Sequence, residues 1–224
     1  FAVVQSADLL GLGIGALLVA PLGDRIGRKP VIVGGCFGIA LATLATGLSN
    51  DTTAFAIWRL LTGTALGACL ANVSAISAEL APANRRSTVM AVVSAGIAIG
   101  AMLAGFTAPE VVAFGGWRML FYLPAALAFL LGLALAVVLE GGRPAHAKAP
   151  TAAKVPLLEL LRPPLLFPLT VFALTYMINA VALYMLVRWT PVLLPQAGFS
   201  VDLAARIQGL LQGGGLVVGI GLAS

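Results

Sequence analysis

Two ionisable residues stand inside stretches of this sequence that are otherwise apolar, and both could take part in proton or anion chemistry. Asp8 lies in the first apolar stretch, where a carboxylate must be protonated, paired or exposed to water. Such a group could carry a proton. Arg59 begins another apolar stretch, stays cationic and could attract an anion. Two alternatives stay open: Asp8 could lie at a membrane interface, and Arg59 could extend its guanidinium outward to water.

A second group of charges is concentrated between Pro21 and Pro30, in the sequence Pro-Leu-Gly-Asp-Arg-Ile-Gly-Arg-Lys-Pro. Its acid, Asp24, is followed four residues later by Arg28. A carboxylate and a guanidinium form strong charge-assisted hydrogen bonds, so this pair could hold one conformation until a movement breaks it. The alternative is a cationic turn that anchors the chain at a membrane surface, which would account for the cations but not for Asp24.

The composition indicates that these charges are surrounded by lipid. Hydrophobic residues make up 60% of the chain and charged residues 9%, proportions that no water-soluble domain of this length could bury in one core. About 20 apolar residues span a bilayer as a helix. We therefore expect an all-α, polytopic membrane helical bundle of six spans and the start of a seventh. The predicted spans are 1–22, 31–49, 54–78, 88–108, 117–139 and 164–190, with the seventh entering near 204.

The cations predict the orientation of these spans, because cytoplasmic loops retain Lys and Arg during insertion. The cations are concentrated in alternate loops, 23–30, 79–87 and 140–162, which we expect to be cytoplasmic. The net charge of +5 is then a consequence of topology, and no nucleic-acid partner is expected. Phe1 would lie at the outer face, which predicts a preceding helix in a longer protein of the inner membrane.

The stretch 141–162 is rich in Ala, Pro and Lys and predicts a cytoplasmic connector. It would join one helical bundle, residues 1–140, to the start of a second, residues 163–224. His146 lies within the connector and is expected to be solvated.

Nothing in the sequence predicts an enzyme. No nucleophile, metal cluster or pair of carboxylates stands at a usable spacing, so neither a metal nor a cofactor is expected. Cys36 and Cys69 are single residues within apolar spans, where thiols usually act as small hydrophobic side chains.

The turn from Pro21 to Pro30 resembles the loop between the second and third helices of major facilitator transporters, Gly-x-Leu-Ala-Asp-Arg-x-Gly-Arg-Lys. Ala20 stands where the first glycine is usual, and Gly23 replaces the usual alanine. The resemblance implies a major facilitator fold, of which this chain would cover about the second to eighth helices and would not transport alone. It also implies a cytoplasmic gating latch that holds the outward-open state, formed by Asp24, Arg25, Gly27, Arg28, Glu79 and Arg86.

The third span carries a second pattern of that superfamily. Arg59-x-x-x-Gly63-x-x-x-Gly67 resembles a motif whose arginine faces the central cavity and takes part in proton coupling. The resemblance implies this role for Arg59. The family pattern has no acid at the place of Asp8, which remains a candidate on physical grounds. Four polar residues could line the cavity, with interhelical hydrogen bonding or an interfacial position as the alternative: Asn72, Tyr176, Asn179 and Tyr184.

Two longer stretches, 59–86 and 189–200, are similar to aromatic acid:proton symporters. The second begins Trp-Thr-Pro-Val-Leu-Leu and ends in Gly-Phe-Ser. The similarity implies a monomeric transporter that imports a small organic acid together with H⁺. The alternative is a drug:proton antiporter, whose fifth helix carries a Gly-Pro-x-x-Gly-Gly kink, but the corresponding region here, 96–105, contains no proline. A receptor that transports nothing also stays open.

Overall fold

The structure is a computed structural model that describes residues 2–139 and 163–221. Within these ranges the chain forms eight α-helices. They are Ala2–Ile14 (α1), Leu22–Ile26 (α2), Arg28–Leu48 (α3), Thr52–Leu80 (α4), Arg86–Gly115 (α5), Met119–Val138 (α6), Pro163–Gln196 (α7) and Val201–Gly221 (α8). A π-helical segment, Gly15–Val19, continues α1 without a break, and a 3₁₀ turn, Ala83–Arg85, precedes α5.

Six segments of the described chain are long and apolar enough to cross a membrane. They are Ser6–Ile26, Arg28–Leu48, Thr52–Leu80, Arg86–Gly115, Met119–Val138 and Leu166–Gln196. Each corresponds to one of the six predicted spans, so the all-α membrane bundle is confirmed. The predicted seventh span corresponds to α8, whereas the predicted connector 141–162, with His146, lies outside the described residues.

The predicted loop 23–30 is shorter in the structure, because helical residues extend into it from both sides. A single residue, Gly27, separates α2 from α3. Its φ of 95° and ψ of 150° lie in a region that side chains with a Cβ rarely adopt. Pro30 falls in the first turn of α3, where proline costs no helical hydrogen bond. The charges of this motif are therefore held on two rigid helices.

The helices pack through small residues and turn their large side chains outward. α1 packs on α4, α3 lies against both α4 and α6, and α8 lies against α5 and α7. The buried residues are mostly small, and Cys36 and Cys69 are among them as free thiols. The Cys69 Sγ donates to the carbonyl oxygen of Ile32 at 3.3 Å. Close packing of small residues is the usual way in which helices associate in lipid, where no hydrophobic force drives them together.

Candidate functional site

Four glycines bring α1 and α4 into backbone contact and so position Asp8. Gly11 and Gly15 lie against the backbone of α4, and Gly63 and Gly67 lie against the backbone of α1. Each pair is four residues apart, so both members face the same neighbouring helix. A Cβ on Gly63 would overlap the carbonyl oxygen of Asp8. The absence of side chains here allows a closer approach than larger residues would permit.

Asp8 lies between two arginines, and we call Asp8, Arg59 and Arg188 the Asp8 cluster. The Asp8 Oδ2 accepts a hydrogen bond from Arg59 Nη2 at 2.8 Å and another from Arg188 Nη2 at 2.9 Å. The Oδ1 accepts from the backbone N–H of Leu9 at 3.0 Å. The side chains of Asp8, Arg59 and Arg188 are 17%, 29% and 30% exposed. Ion pairs shielded in this way are screened less by water and salt than surface pairs.

The three members of the Asp8 cluster lie at one depth in the bundle, although three helices supply them. Asp8 stands six residues from the start of α1, Arg59 seven residues from the start of α4 and Arg188 eight residues from the end of α7. At a rise of 1.5 Å per residue, each is about 9 to 12 Å from its helix end. The cluster therefore lies inside the helical layer, at the end opposite to the predicted cytoplasmic loops.

A second ion pair joins α5 to α8 at the same end of the bundle. Arg206 Nη2 donates to Glu110 Oε1 at 2.6 Å. Both side chains are about half exposed, so this pair is more strongly screened than the Asp8 cluster. The two helices also meet through glycines, because a Cβ on Gly105 would stand 2.8 Å from the Cα of Gly209.

The predicted latch is partly assembled at the other end of α1. Arg28 Nη2 donates to Glu79 Oε1 at 2.7 Å and to Asp24 Oδ1 at 3.5 Å. We call these three residues the Asp24 cluster, which joins α2, α3 and α4. The Arg28 side chain is 15% exposed, but both carboxylates are more than half exposed. The contact to Glu79 is therefore the stronger of two modest interactions.

Three further predicted latch residues take different positions. Gly27 provides the sharp break that places Asp24 and Arg28 on adjacent helices. Arg25 and Arg86 are exposed. In the part of the chain that the structure describes, no hydrogen bond or ion pair joins either arginine to the Asp24 cluster.

Asn72 is 3% exposed and fastens α4 to the π-helical end of α1. Its Nδ2 donates to the carbonyl oxygens of Ala20 at 3.1 Å and Ala68 at 2.9 Å. The Ala20 carbonyl, next to Pro21, also accepts from the backbone N–H of Gly23 at 2.9 Å, so the Asn72 bond is a second one to this oxygen. Asn72 also lines a pocket of about 220 Å³ that is bordered by Asp24 and Arg28. In this position it is close to the Asp24 cluster and distant from the Asp8 cluster.

The remaining predicted cavity residues lie on α7, and most of their surface is open. Tyr176 is 70% exposed, Tyr184 is 42% exposed, and Asn179 is also exposed. Trp189 borders an apolar pocket of about 450 Å³ together with Met185, Leu186, Thr190 and Leu193. Within the described residues, Asn72 is thus separated from the other three candidates.

Sequence reasoning did not assign a functional role to Arg188 or to the pair of Glu110 and Arg206. Arg188 lies near the outer end of the predicted span 164–190. One signal could have identified it: Asp8, Arg59 and Arg188 each stand within seven residues of the end of a predicted span, on the same predicted side. A charge that is costly in lipid needs a partner at its own depth.

Comparison with known proteins identifies a family whose model matches this chain. The model of the Major Facilitator Superfamily matches residues 1–224. The chain is 32% identical to a gallate transporter of Pseudomonas putida, over 97% of this chain and 55% of that protein. It is 32% identical to a 4-hydroxybenzoate transporter of Pseudomonas aeruginosa, over 96% of this chain and 55% of that protein.

A third relative is a 3-(3-hydroxy-phenyl)propionate transporter of Escherichia coli, which is 32% identical over 94% of this chain and 52% of that protein. The chain therefore spans about half the length of the curated relatives that it matches. All three relatives are named as transporters of aromatic acids, which confirms the resemblance inferred from the stretches 59–86 and 189–200.

Proposed function

This chain belongs to the Major Facilitator Superfamily, and from that premise we propose that it forms part of a proton-coupled transporter that imports a small aromatic acid. Its family and relatives are transporters, so the chain is not an enzyme. The observation that carries the proposal is the Asp8 cluster. It combines a carboxylate that can bind a proton with arginines that can attract an organic anion, both within the apolar layer.

The proposed mechanism is alternating access between two bundles, residues 1–140 and 163–224, that move about a central substrate site. The Asp8 cluster joins these bundles, because Asp8 and Arg59 belong to the first and Arg188 to the second. The bond between Asp8 and Arg188 must break when the outer ends separate. A change in the charge of Asp8 would thereby favour one of the two states.

The Asp24 cluster would act at the cytoplasmic face, where the predicted topology places the loops 23–30 and 79–87. Its hub, Arg28, has a buried Nε without a hydrogen-bond partner among the described residues. A buried donor is costly unless it is paired. This donor could therefore bind an acceptor elsewhere in the complete protein when the cytoplasmic ends meet, which would hold the outward-open state.

The function can be tested by uptake into proteoliposomes that contain the complete protein. Labelled 4-hydroxybenzoate and gallate should accumulate above equilibrium when the outside is more acidic, and a protonophore should remove the accumulation. Glucose serves as an uncharged control that should not enter. If no aromatic acid shows flux that depends on the proton gradient, the proposal is wrong, and proton-driven efflux would instead support the antiporter alternative.

Replacing Arg28 with glutamine should slow transport while substrate binding stays unchanged, because the Asp24 cluster is far from the Asp8 cluster. We expect initial uptake to fall by about two- to fivefold, as for the loss of partly exposed ion pairs. Asp24→Asn should slow uptake less than Arg28→Gln does. The Arg28 Nη2 lies 3.5 Å from the Asp24 carboxylate but only 2.7 Å from that of Glu79. Initial rates and equilibrium binding of labelled 4-hydroxybenzoate measure the two quantities.

Asp202→Asn is the matched control for the loss of a carboxylate. Asp202 is exposed in the first turn of α8 and forms no ion pair within the described residues. Its variant should transport like the wild type. Wild-type rates in Arg28→Gln as well would show that the Asp24 cluster does not gate transport.

A further inference from the structure

We propose that Arg59 and Arg188 together form the binding site for the carboxylate of the transported acid, and that Asp8 fills this site until it is protonated. The inference rests on the proposed function and deepens it. Arg188 thereby becomes a substrate-binding residue, and Asp8 becomes an internal competitor of the substrate.

The geometry of the Asp8 cluster is that of an occupied anion site. Two guanidinium groups from different helices direct their Nη2 atoms at the same oxygen, Asp8 Oδ2, at 2.8 and 2.9 Å. Guanidinium is suited to carboxylate because its donors are fixed in one plane. A substrate carboxylate at this position would meet the same donors that now hold Asp8.

The charges of the Asp8 cluster favour replacement of the Asp8 carboxylate by a substrate carboxylate over protonation of Asp8 without a replacement. With Asp8 ionised, the two arginines and one carboxylate carry a net charge of +1. Protonation of Asp8 removes the negative charge that the two partly buried guanidinium groups share, and the two cations repel each other. Entry of a monocarboxylate restores the net charge of +1. One proton and one acid molecule are therefore taken up together, which is the stoichiometry of a symporter.

Arg59 and Arg188 are the charged groups that contact Asp8 among the described residues. Among the described residues, α4 contributes Arg59 and α7 contributes Arg188, while α1 itself contributes the backbone N–H of Leu9. Other carboxylates of the described chain pair elsewhere or lie toward the helix ends, such as Glu110 with Arg206 and Asp51 at the start of α4. Among the residues that the structure describes, Asp8 is the acid that pairs with both guanidinium groups.

The position of the cluster also links binding to movement. Arg59 stands on the first proposed bundle and Arg188 on the second. A carboxylate held by both arginines therefore joins the two bundles, as Asp8 does in this structure. The preferred ligand is an acid with one ionised carboxylate, because an ester or amide of the same ring would lack the charge that two guanidinium groups require.

The test is equilibrium binding of labelled 4-hydroxybenzoate to the complete protein in detergent, from about pH 5.5 to pH 8, where the ligand stays ionised. At pH 8 the wild type should bind about tenfold more weakly than Asp8→Asn, because the Asp8 carboxylate competes for the arginines. Asp8→Asn should bind tightly across the whole range, since asparagine cannot compete as an anion. Arg188→Gln should weaken binding by about 10- to 100-fold at the lower pH.

Two further variants separate a binding role from a structural one. Arg188→Lys retains the charge but loses the planar fork, so its affinity should be intermediate between Arg188→Gln and the wild type. Arg206→Gln removes a cation at the same end of the bundle and should bind like the wild type. These comparisons do not depend on transport and can be made on any variant that remains monodisperse.

The outcomes distinguish this inference from the function on which it rests. Wild-type affinity in Arg188→Gln, or loss of binding in Asp8→Asn, would overturn the shared carboxylate site and leave the proposed transporter intact. If the wild type bound neither 4-hydroxybenzoate nor gallate, the proposed substrate class would fail, and the site with it. Equal affinities of the wild type and Asp8→Asn at pH 8 would show that Asp8 is not the competitor.

Discussion

Replacing Arg59 with glutamine should abolish proton-driven accumulation of the aromatic acid by the complete protein. Arg59 donates to Asp8 at 2.8 Å with only 29% of its side chain exposed. Glutamine removes the charge that favours an anion at this depth, while Asp8 stays paired with Arg188. We expect the initial rate of uptake to fall by about 10- to 100-fold, as for loss of one charged hydrogen bond. Accumulation ratios in proteoliposomes with an imposed proton gradient measure the effect.

Exchange of labelled for unlabelled substrate should also fall in Arg59→Gln, because the variant lacks one of the two guanidinium groups proposed to bind the substrate carboxylate. Arg118→Gln is the matched control. Arg118 is an exposed arginine between α5 and α6 that donates to Asn50 at 2.7 Å and stacks on Trp117. Its variant should accumulate substrate normally. Wild-type accumulation by Arg59→Gln would refute the assignment of proton coupling to Arg59.

Adding one methyl group at Gly63 should disturb the Asp8 cluster by forcing α1 and α4 apart. In Gly63→Ala the new Cβ would overlap the carbonyl oxygen of Asp8, a backbone atom that no side-chain rotation can move away. α1 must shift away from α4, which separates Asp8 from Arg59. Overpacking of this kind costs about 1 to 3 kcal/mol. Thermal unfolding of the purified complete protein should show a lower midpoint, and uptake should fall with it.

Gly13→Ala provides the comparison on α1 itself. A Cβ on Gly13 meets nothing within 4 Å, and alanine is the better helix former. This variant should be as stable as the wild type or slightly more stable. An equal loss of stability in both variants would show that glycine is needed in these helices for another reason than close approach. An unchanged midpoint in Gly63→Ala would contradict the tight packing of α1 on α4.

The two charged clusters lie at opposite ends of the same membrane span. Asp8 and Asp24 are 16 residues apart in the chain, which corresponds to about 24 Å along a helix. The π-helical segment and Pro21 lie between them, close to the Asp24 cluster. Such interruptions of the regular hydrogen-bond pattern are common at functional sites. One span thus carries both the proposed outer contact and the proposed cytoplasmic latch.

Much of the fold could be predicted from the sequence because lipid imposes a simple rule. A helix needs about 20 apolar residues to span the hydrocarbon, and six such stretches stand between polar interruptions. Local spacing was informative as well: Asp24 and Arg28 are four residues apart and do form a contact. The four-residue spacing of Gly63 and Gly67 is also typical of close helix packing, although it does not identify the partner helix.

The sequence by itself determined which residues are costly in lipid and therefore need partners: Asp8, Arg59 and the charges around Asp24. Only the tertiary structure decided which partners meet. Arg59 is 51 residues and Arg188 is 180 residues from Asp8, yet both bind the same carboxylate oxygen. The reason is that helix periodicity shows which residues share one face of a helix, but not which neighbouring helix packs against that face. That choice depends on the glycine contacts of α1 with α4 and on the position of α7, which no local pattern encodes.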